Sequence, residues 1–218
     1  MTIQEAMEQR HSVRSYQDRP IPEDIISALQ AETDACNAES GLHIQLVTNE
    51  KDAYKGKFDC CSAYIALVGK KTDDFSDLCG YYGERIAIAA QMLGLNSCWT
   101  ALSVSKGAVK KNVSILDGEK LCMTIALGYG TTQGMPHKSK SPEKVSSAPA
   151  DAPSWFADGV AAALLAPTAI NQQKFTFTYT PDGKVAAKAG FGPYAKVDLG
   201  IVKYHFVAGS GQSRDIFV

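Results

Sequence analysis

From Thr131 to Ala152 the chain is rich in Pro, Ser and Lys and carries almost no apolar periodicity. Such a stretch reads as a linker or arm crossing the surface. It divides the 218 residues into halves of about 1–130 and 150–218, packed as a single domain. Before the break, residues 2–9 read as a short helix, and Pro22, Glu23 and Asp24 suit the first turn of another. Ile25, Ile26 and Leu29 carry that helix to about Cys36. His43 to Thr48 alternates as a strand does, and the apolar run Ala63 to Gly69 reads as a buried strand. Residues 51–62 and 70–80 are polar and read as surface loops or a lid.

Tyr82 to Leu93 is the clearest helix, with Ile86, Ala89, Ala90 and Leu93 on one face and Gly94 as its stop. Ser97 to Thr100 reads as a short strand, Ser103 to Lys111 as a helix capped by Ser103, and Leu121 to Gly128 as a strong strand. Beyond the break the pattern gives a helix at Ser154 to Leu165 and a hairpin around Pro181-Asp182-Gly183. A buried-face helix follows at Asp198 to Ala208. The tail, Arg214 to Val218, reads as an arm that adds a strand elsewhere. Strands alternating with helices argue for a sheet layered with helices. Both halves open with a helix, then run through a strand to a late buried helix, a weak echo of duplication.

Composition excludes several classes. A net charge of −1 gives no general attraction to nucleic acid or anionic lipid. No stretch approaches the ~20 apolar residues of a membrane span. Met1 to Arg10 is polar and helical in pattern and does not read as a secretion signal, so a cytoplasmic location is expected. Six cysteines show no C-x-x-C pair and no zinc-finger spacing. They read as free buried thiols, and no metal site is expected.

Three segments could carry chemistry. Arg10-His11-Ser12-Val13-Arg14 sets two guanidinium groups around a hydroxyl. In an extended chain Arg10, Ser12 and Arg14 point the same way, as a phosphate grip requires. A basic surface turn would look the same. Ala166-Pro167-Thr168-Ala169-Ile170-Asn171-Gln172-Gln173 ends an apolar helix with small residues and amides, which let a planar ring approach and bond its mixed polar edge. An ordinary helix-to-strand turn is the plainer reading. Pro136-His137-Lys138-Ser139-Lys140 offers two lysines, for a phosphate or simply for solvent. Gly128-Tyr129-Gly130 is not followed by Gly-Lys-Ser/Thr, so it is no P-loop, and no G-x-G-x-x-G follows a first strand. Elsewhere, His205 reads as a packed helix residue, and Tyr81 and Tyr82 as packing at a helix start or as a pocket cover.

As a set, these segments resemble the nitroreductase family. Arg10 to Arg14 looks like its FMN-phosphate motif, and Ala166 to Gln173 like its flavin-ring and ribityl loop. Lys138 to Lys140 looks like its C-terminal phosphate clamp. Glu84 to Trp99 is similar to its central helix and following strand. Two features depart from the usual pattern. Glu32 to Gly41, where the Pro-containing loop is usual, lacks it, and the good copy lies in the second half. Thr100-Ala101-Leu102 stands where a glycine-rich turn is usual. The chain therefore resembles a rearranged branch of the family.

The resemblance implies an α+β fold, a mostly antiparallel central sheet flanked by helices in two pseudo-repeated halves. It implies FMN as cofactor, held by Arg10, His11, Ser12, Arg14, Lys138, Lys140, Pro167, Thr168, Ala169, Asn171 and Gln173. It implies hydride transfer from NAD(P)H through the flavin N5 to a small acceptor such as a nitroaromatic or quinone. That is a ping-pong cycle, with no protein residue named as acid, base or nucleophile. It further implies a homodimer with FMN in the interface and the tail as an exchanged arm. The alternatives are a flavin-binding storage or regulatory protein with little turnover, or a flavin-cleaving or dehalogenating branch.

Overall fold

The computed structural model describes residues 1–218. Helix α1 (Ile3–Gln9) starts on a capping box, in which the Thr2 hydroxyl accepts from the Glu5 amide and the Glu5 carboxylate from the Thr2 amide. Helix α2 (Glu23–Ser40) begins after Pro22, carries Glu23 and Asp24 in its first turn, and stops at Gly41 in the left-handed conformation. Strands β1 (Gln45–Val47) and β2 (Ala63–Lys70) lead into α3 (Phe75–Met92), β3 (Asn96–Thr100), α4 (Lys106–Asn112) and β4 (Glu119–Gly128). These four strands form one antiparallel sheet, ordered β1-β2-β4-β3.

The second sheet is smaller. Strand β5 (Ser146–Ser147) pairs parallel to β6 (Phe175–Tyr179), which pairs antiparallel to β7 (Val185–Ala189). Helix α5 (Ser154–Ala163) precedes this hairpin and α6 (Ala195–Ser210) follows it. The order helix, antiparallel strand pair, helix therefore occurs twice: α2-β1-β2-α3 and α5-β6-β7-α6.

Helices α3 and α6 cross at the centre, and glycines make the crossing possible. A Cβ on Gly80 would strike the carbonyl of Val197, three residues before Gly200. A Cβ on Gly200 would strike the carbonyl of Asp77, three residues before Gly80. The contact is reciprocal, as a local two-fold axis requires. Ile86 and Val202 from the two helices enter the same main core with Ile65, Ile125, Phe177 and Phe206.

Several expectations are corrected. Helix α3 starts at Phe75, inside the stretch 70–80 read as a loop, because Gly80 and Asp77 pack against α6. Ser105, not Ser103, caps α4, its hydroxyl accepting from the Ala108 amide. The linker contributes β5 to the second sheet. Within the chain the tail bridges β7: the Val218 amide donates to the Val185 carbonyl, and Phe217 stacks on Phe177. All six cysteines are free thiols, and Cys60 is exposed rather than buried. No helix is long and apolar enough to cross a membrane.

Candidate cofactor site

The segment after α1 is hung on the large sheet as an extra short strand. Ser12 bridges Ser97 of β3 in parallel, and the Val13 amide donates to the Ser97 carbonyl at 3.1 Å. Alternation does the rest: Val13 is buried, while Ser12 and Arg14 face a cleft. That cleft is polar, with a volume of about 500 Å3. Arg10, His11, Ser12 and Arg14 form one wall, Gly134 to His137 a second, and Pro167 to Asn171 a third. No carboxylate lines it.

Arg10 is only 2% exposed, and its Nε and Nη1 hydrogen-bond nothing within the chain. Its countercharge is Glu84 of α3, fully buried, with Oε1 at 3.4 Å from the Arg10 Nε. Glu84 Oε1 also meets His205 Nε2 of α6 at 2.9 Å, and Oε2 accepts from the Trp99 indole at 2.6 Å. Leaving guanidinium nitrogens unpaired in a protein interior is costly unless a ligand supplies the acceptor. A buried arginine lining a cleft with spare donors fits an anion.

A second, apolar cleft of about 210 Å3 adjoins the first and shares Ser12, Arg14, Pro167, Thr168 and Ile170 with it. Trp99, Leu102, Met123 and Ile201 supply its apolar surface. An anion pocket opening into an apolar slot suits a molecule with a phosphate at one end and a planar ring at the other. Both clefts are walled by residues of one chain.

The loop after α5 is held with unusual rigidity. Ile170, Asn171 and Gln173 all take positive φ, at 49°, 54° and 46°. Each such non-glycine conformation costs about 1–3 kcal/mol and persists only where the surroundings over-determine it. Here they do. The Thr168 hydroxyl accepts from the Gln173 amide at 3.0 Å, and the Asp198 carboxylate accepts from the Ala169 amide and the Gln172 side chain. Burial raises the Asp198 carboxyl, against these two hydrogen bonds that lower it.

The expected site residues divide accordingly. Arg10, His11, Ser12, Arg14, Pro167, Thr168, Ala169 and Asn171 all line one cleft or both. Lys138, Lys140 and Gln173 do not. The Lys140 ammonium donates to the carbonyls of Gln172 and Gln173, at 3.0 and 2.7 Å, and so braces the loop from behind. Gln173 is 3% exposed, and its amide accepts from the Lys140 backbone and donates to the Lys138 carbonyl. Lys138 offers only that carbonyl, its side chain being exposed. Three groups expected to touch the ligand thus do not line the clefts: the loop engages the Lys140 ammonium and the Gln173 amide, and the Lys138 side chain is exposed.

Sequence reasoning missed Trp99 and Glu84. A carboxylate within the buried stretch of α3 was the signal, since a buried charge must be paired. His205 is packed, as expected, but as a partner of Glu84. Tyr81 and Tyr82 pack edge-on against each other in the core and line neither cleft.

The chain matches the family described as "Putative TM nitroreductase" over residues 2–210. The chain belongs to that family. Among solved structures, a "putative nitroreductase" from Thermotoga maritima superposes with a TM-score of 0.71 at 23% identity, over 96% of this chain and 83% of that one. A "Putative NADH dehydrogenase/NAD(P)H nitroreductase" from Parabacteroides distasonis gives 0.54 at 21% identity, over 66% of this chain and 95% of that one. A "putative nitroreductase in complex with fmn" from Desulfovibrio desulfuricans gives 0.53 at 13% identity, over 66% and 94%. At these identities the likeness is one of fold. No curated protein matches the chain.

Proposed function

We propose that this nitroreductase-family chain is an FMN-dependent oxidoreductase that takes hydride from NAD(P)H and reduces a small acceptor such as a nitroaromatic or quinone. One observation carries the reading: Arg10, buried and with Nη1 lacking any hydrogen-bond partner, lines with His11 and Arg14 a carboxylate-free cleft that opens into an apolar slot beside Trp99. Bound there, FMN would supply the redox chemistry, relaying a hydride equivalent from nucleotide to acceptor.

The chain's own residues bind and orient. Arg10, His11, Ser12 and Arg14 take the phosphate, since guanidinium forks suit its oxygens. Pro167, Thr168, Ala169 and Asn171 form the face against which the ribityl chain and ring rest. Trp99, fixed by Glu84, walls the ring cleft and keeps water from it. Lys138, Lys140 and Gln173 act one step removed, by holding the 168–173 loop. No side chain is assigned as acid, base or nucleophile.

Because the two halves of one chain both contribute walls, one FMN per chain is expected.

Anaerobic reduction of the protein after incubation with FMN tests the reading. A yellow protein that bleaches with NADH or NADPH and recolours with a quinone is expected. A protein that takes up no FMN overturns it; one that takes up FMN but resists both nucleotides would be a carrier.

A further inference from the structure

His137 was not among the residues expected to touch a ligand, yet it lines the anion cleft together with His11. We propose that His11 and His137 are anion-binding residues forming a proton-linked half of this cleft, in the place the two lysines were expected to fill. A phosphate monoester would then bind with uptake of protons from solution. The chemical identity of that ester rests on the FMN reading; the proton linkage does not.

The geometry fixes how His137 can act. Its Nε2 lies 3.0 Å from the Leu164 carbonyl. A carbonyl only accepts, so the neutral ring carries its proton on Nε2 and Nδ1 is the nitrogen left to gain one. Leu164 is the C-terminal cap of α5, where the exposed carbonyls favour a cation. The Ser139 hydroxyl donates to the same carbonyl at 2.9 Å and holds the corner in place. Lys138, next in sequence, is exposed outside the cleft, and the Lys140 ammonium is engaged by two carbonyls. On this wall the histidine is the one titratable group that lines the cleft.

The cationic groups around the pair push one way. His11 and His137 face each other's field, Arg10 and Arg14 line the same cleft, and His205 approaches from α6. Glu84 of α3 lies behind Arg10 and is shared with His205 and Trp99. With no anion bound, burial first, and Arg10 with a neighbouring imidazole, hold both imidazoles below their ordinary range, against backbone hydrogen bonds that raise them. A bound phosphate reverses the local field and favours both charged forms. By linkage, affinity must then rise as pH falls through the range in which the bound form is protonated and the free form is not.

Fluorescence titration of the whole protein with FMN and with riboflavin, between pH 8.0 and 6.5, tests this. The window stays above the second ionisation of a phosphate monoester, near about 6. FMN affinity is expected to rise about fivefold across it, against a limit of about tenfold per pH unit for each proton taken up. Riboflavin, lacking the phosphate, should show no slope. His137→Gln should lose about half of the slope and Lys138→Met none of it. A His137→Gln variant with merely disturbed folding would lose affinity equally at every pH. FMN binding with a flat pH profile, or a full slope in His137→Gln, overturns the proposal while leaving the FMN reading intact. If FMN does not bind, inorganic phosphate followed by the NMR shifts of the two imidazoles takes its place. Upward titration of both with phosphate supports the proposal, and no movement overturns it.

Discussion

The two walls of the cleft are built in opposite ways. The Arg10–Arg14 wall is unstrained extended backbone hung on β3, and it leaves donor groups free: Arg10 Nη1 has no hydrogen-bond partner, and Nε has only the Glu84 ion pair at 3.4 Å. The 168–173 wall is strained at three residues, and almost every polar group in it is engaged in holding its own shape. One wall supplies charge and the other supplies form. A motif rich in Asn, Gln and Lys looks like a set of ligand contacts on paper, yet part of it is scaffolding.

This contrast can be broken by substitution. Arg10→Ala should do most harm, since it removes the cleft's central cation and leaves Glu84 buried without its countercharge. A loss of about 3–5 kcal/mol in stability is expected, with FMN retention abolished. Thermal unfolding with and without FMN measures it. Lys140→Met should lower stability by about 1.5–3 kcal/mol through lost charge-assisted bonds to two carbonyls, while the salt dependence of FMN binding stays as in the wild type. If that salt dependence falls instead, Lys140 is a ligand contact and the contrast between the walls is wrong.

Arg14→Ala should show the reverse. Arg14 is exposed at the mouth of the cleft, so unfolding should barely change while FMN affinity drops by about 1.5–3 kcal/mol. The smallest effect belongs to Ile170, which is 88% exposed at φ 49°. Ile170→Gly relieves strain without uncovering core, so chemical denaturation should show a gain of about 1 kcal/mol. A loss would mean that Ile170 is held by packing that its exposure does not suggest.

Much of the fold was legible because β4, the hairpin and the core of α3 carry clear periodicity. What was not legible depended on partners far off in sequence. Phe75, Leu78, Cys79 and Tyr82 do form an apolar stripe, but the polar residues around them masked it, and the reciprocal packing of Gly80 on Gly200 is visible only in the fold. Strand β5 is two residues long and exists through its pairing with β6. The convergence of Arg10–Arg14 with Pro167–Asn171 was expected from the motifs, and the clefts contain both. The roles within the motifs were not legible. Whether Lys140 meets solvent, a ligand or a carbonyl is decided by the loop's backbone, which a pattern of residue types does not encode. His137 was overlooked for the converse reason: beside two lysines it looks incidental, until the fold turns the lysines away.

The most direct test of the account is the ratio of FMN to riboflavin affinity, in the wild type and in Arg14→Ala, measured on one chain by fluorescence quenching. The phosphate should be worth at least about a hundredfold in the wild type, since it meets Arg10 and Arg14 together. In Arg14→Ala that ratio should shrink about tenfold or more. Equal affinity for the two flavins, or a ratio unchanged by the substitution, would mean that the charged wall does not hold the phosphate.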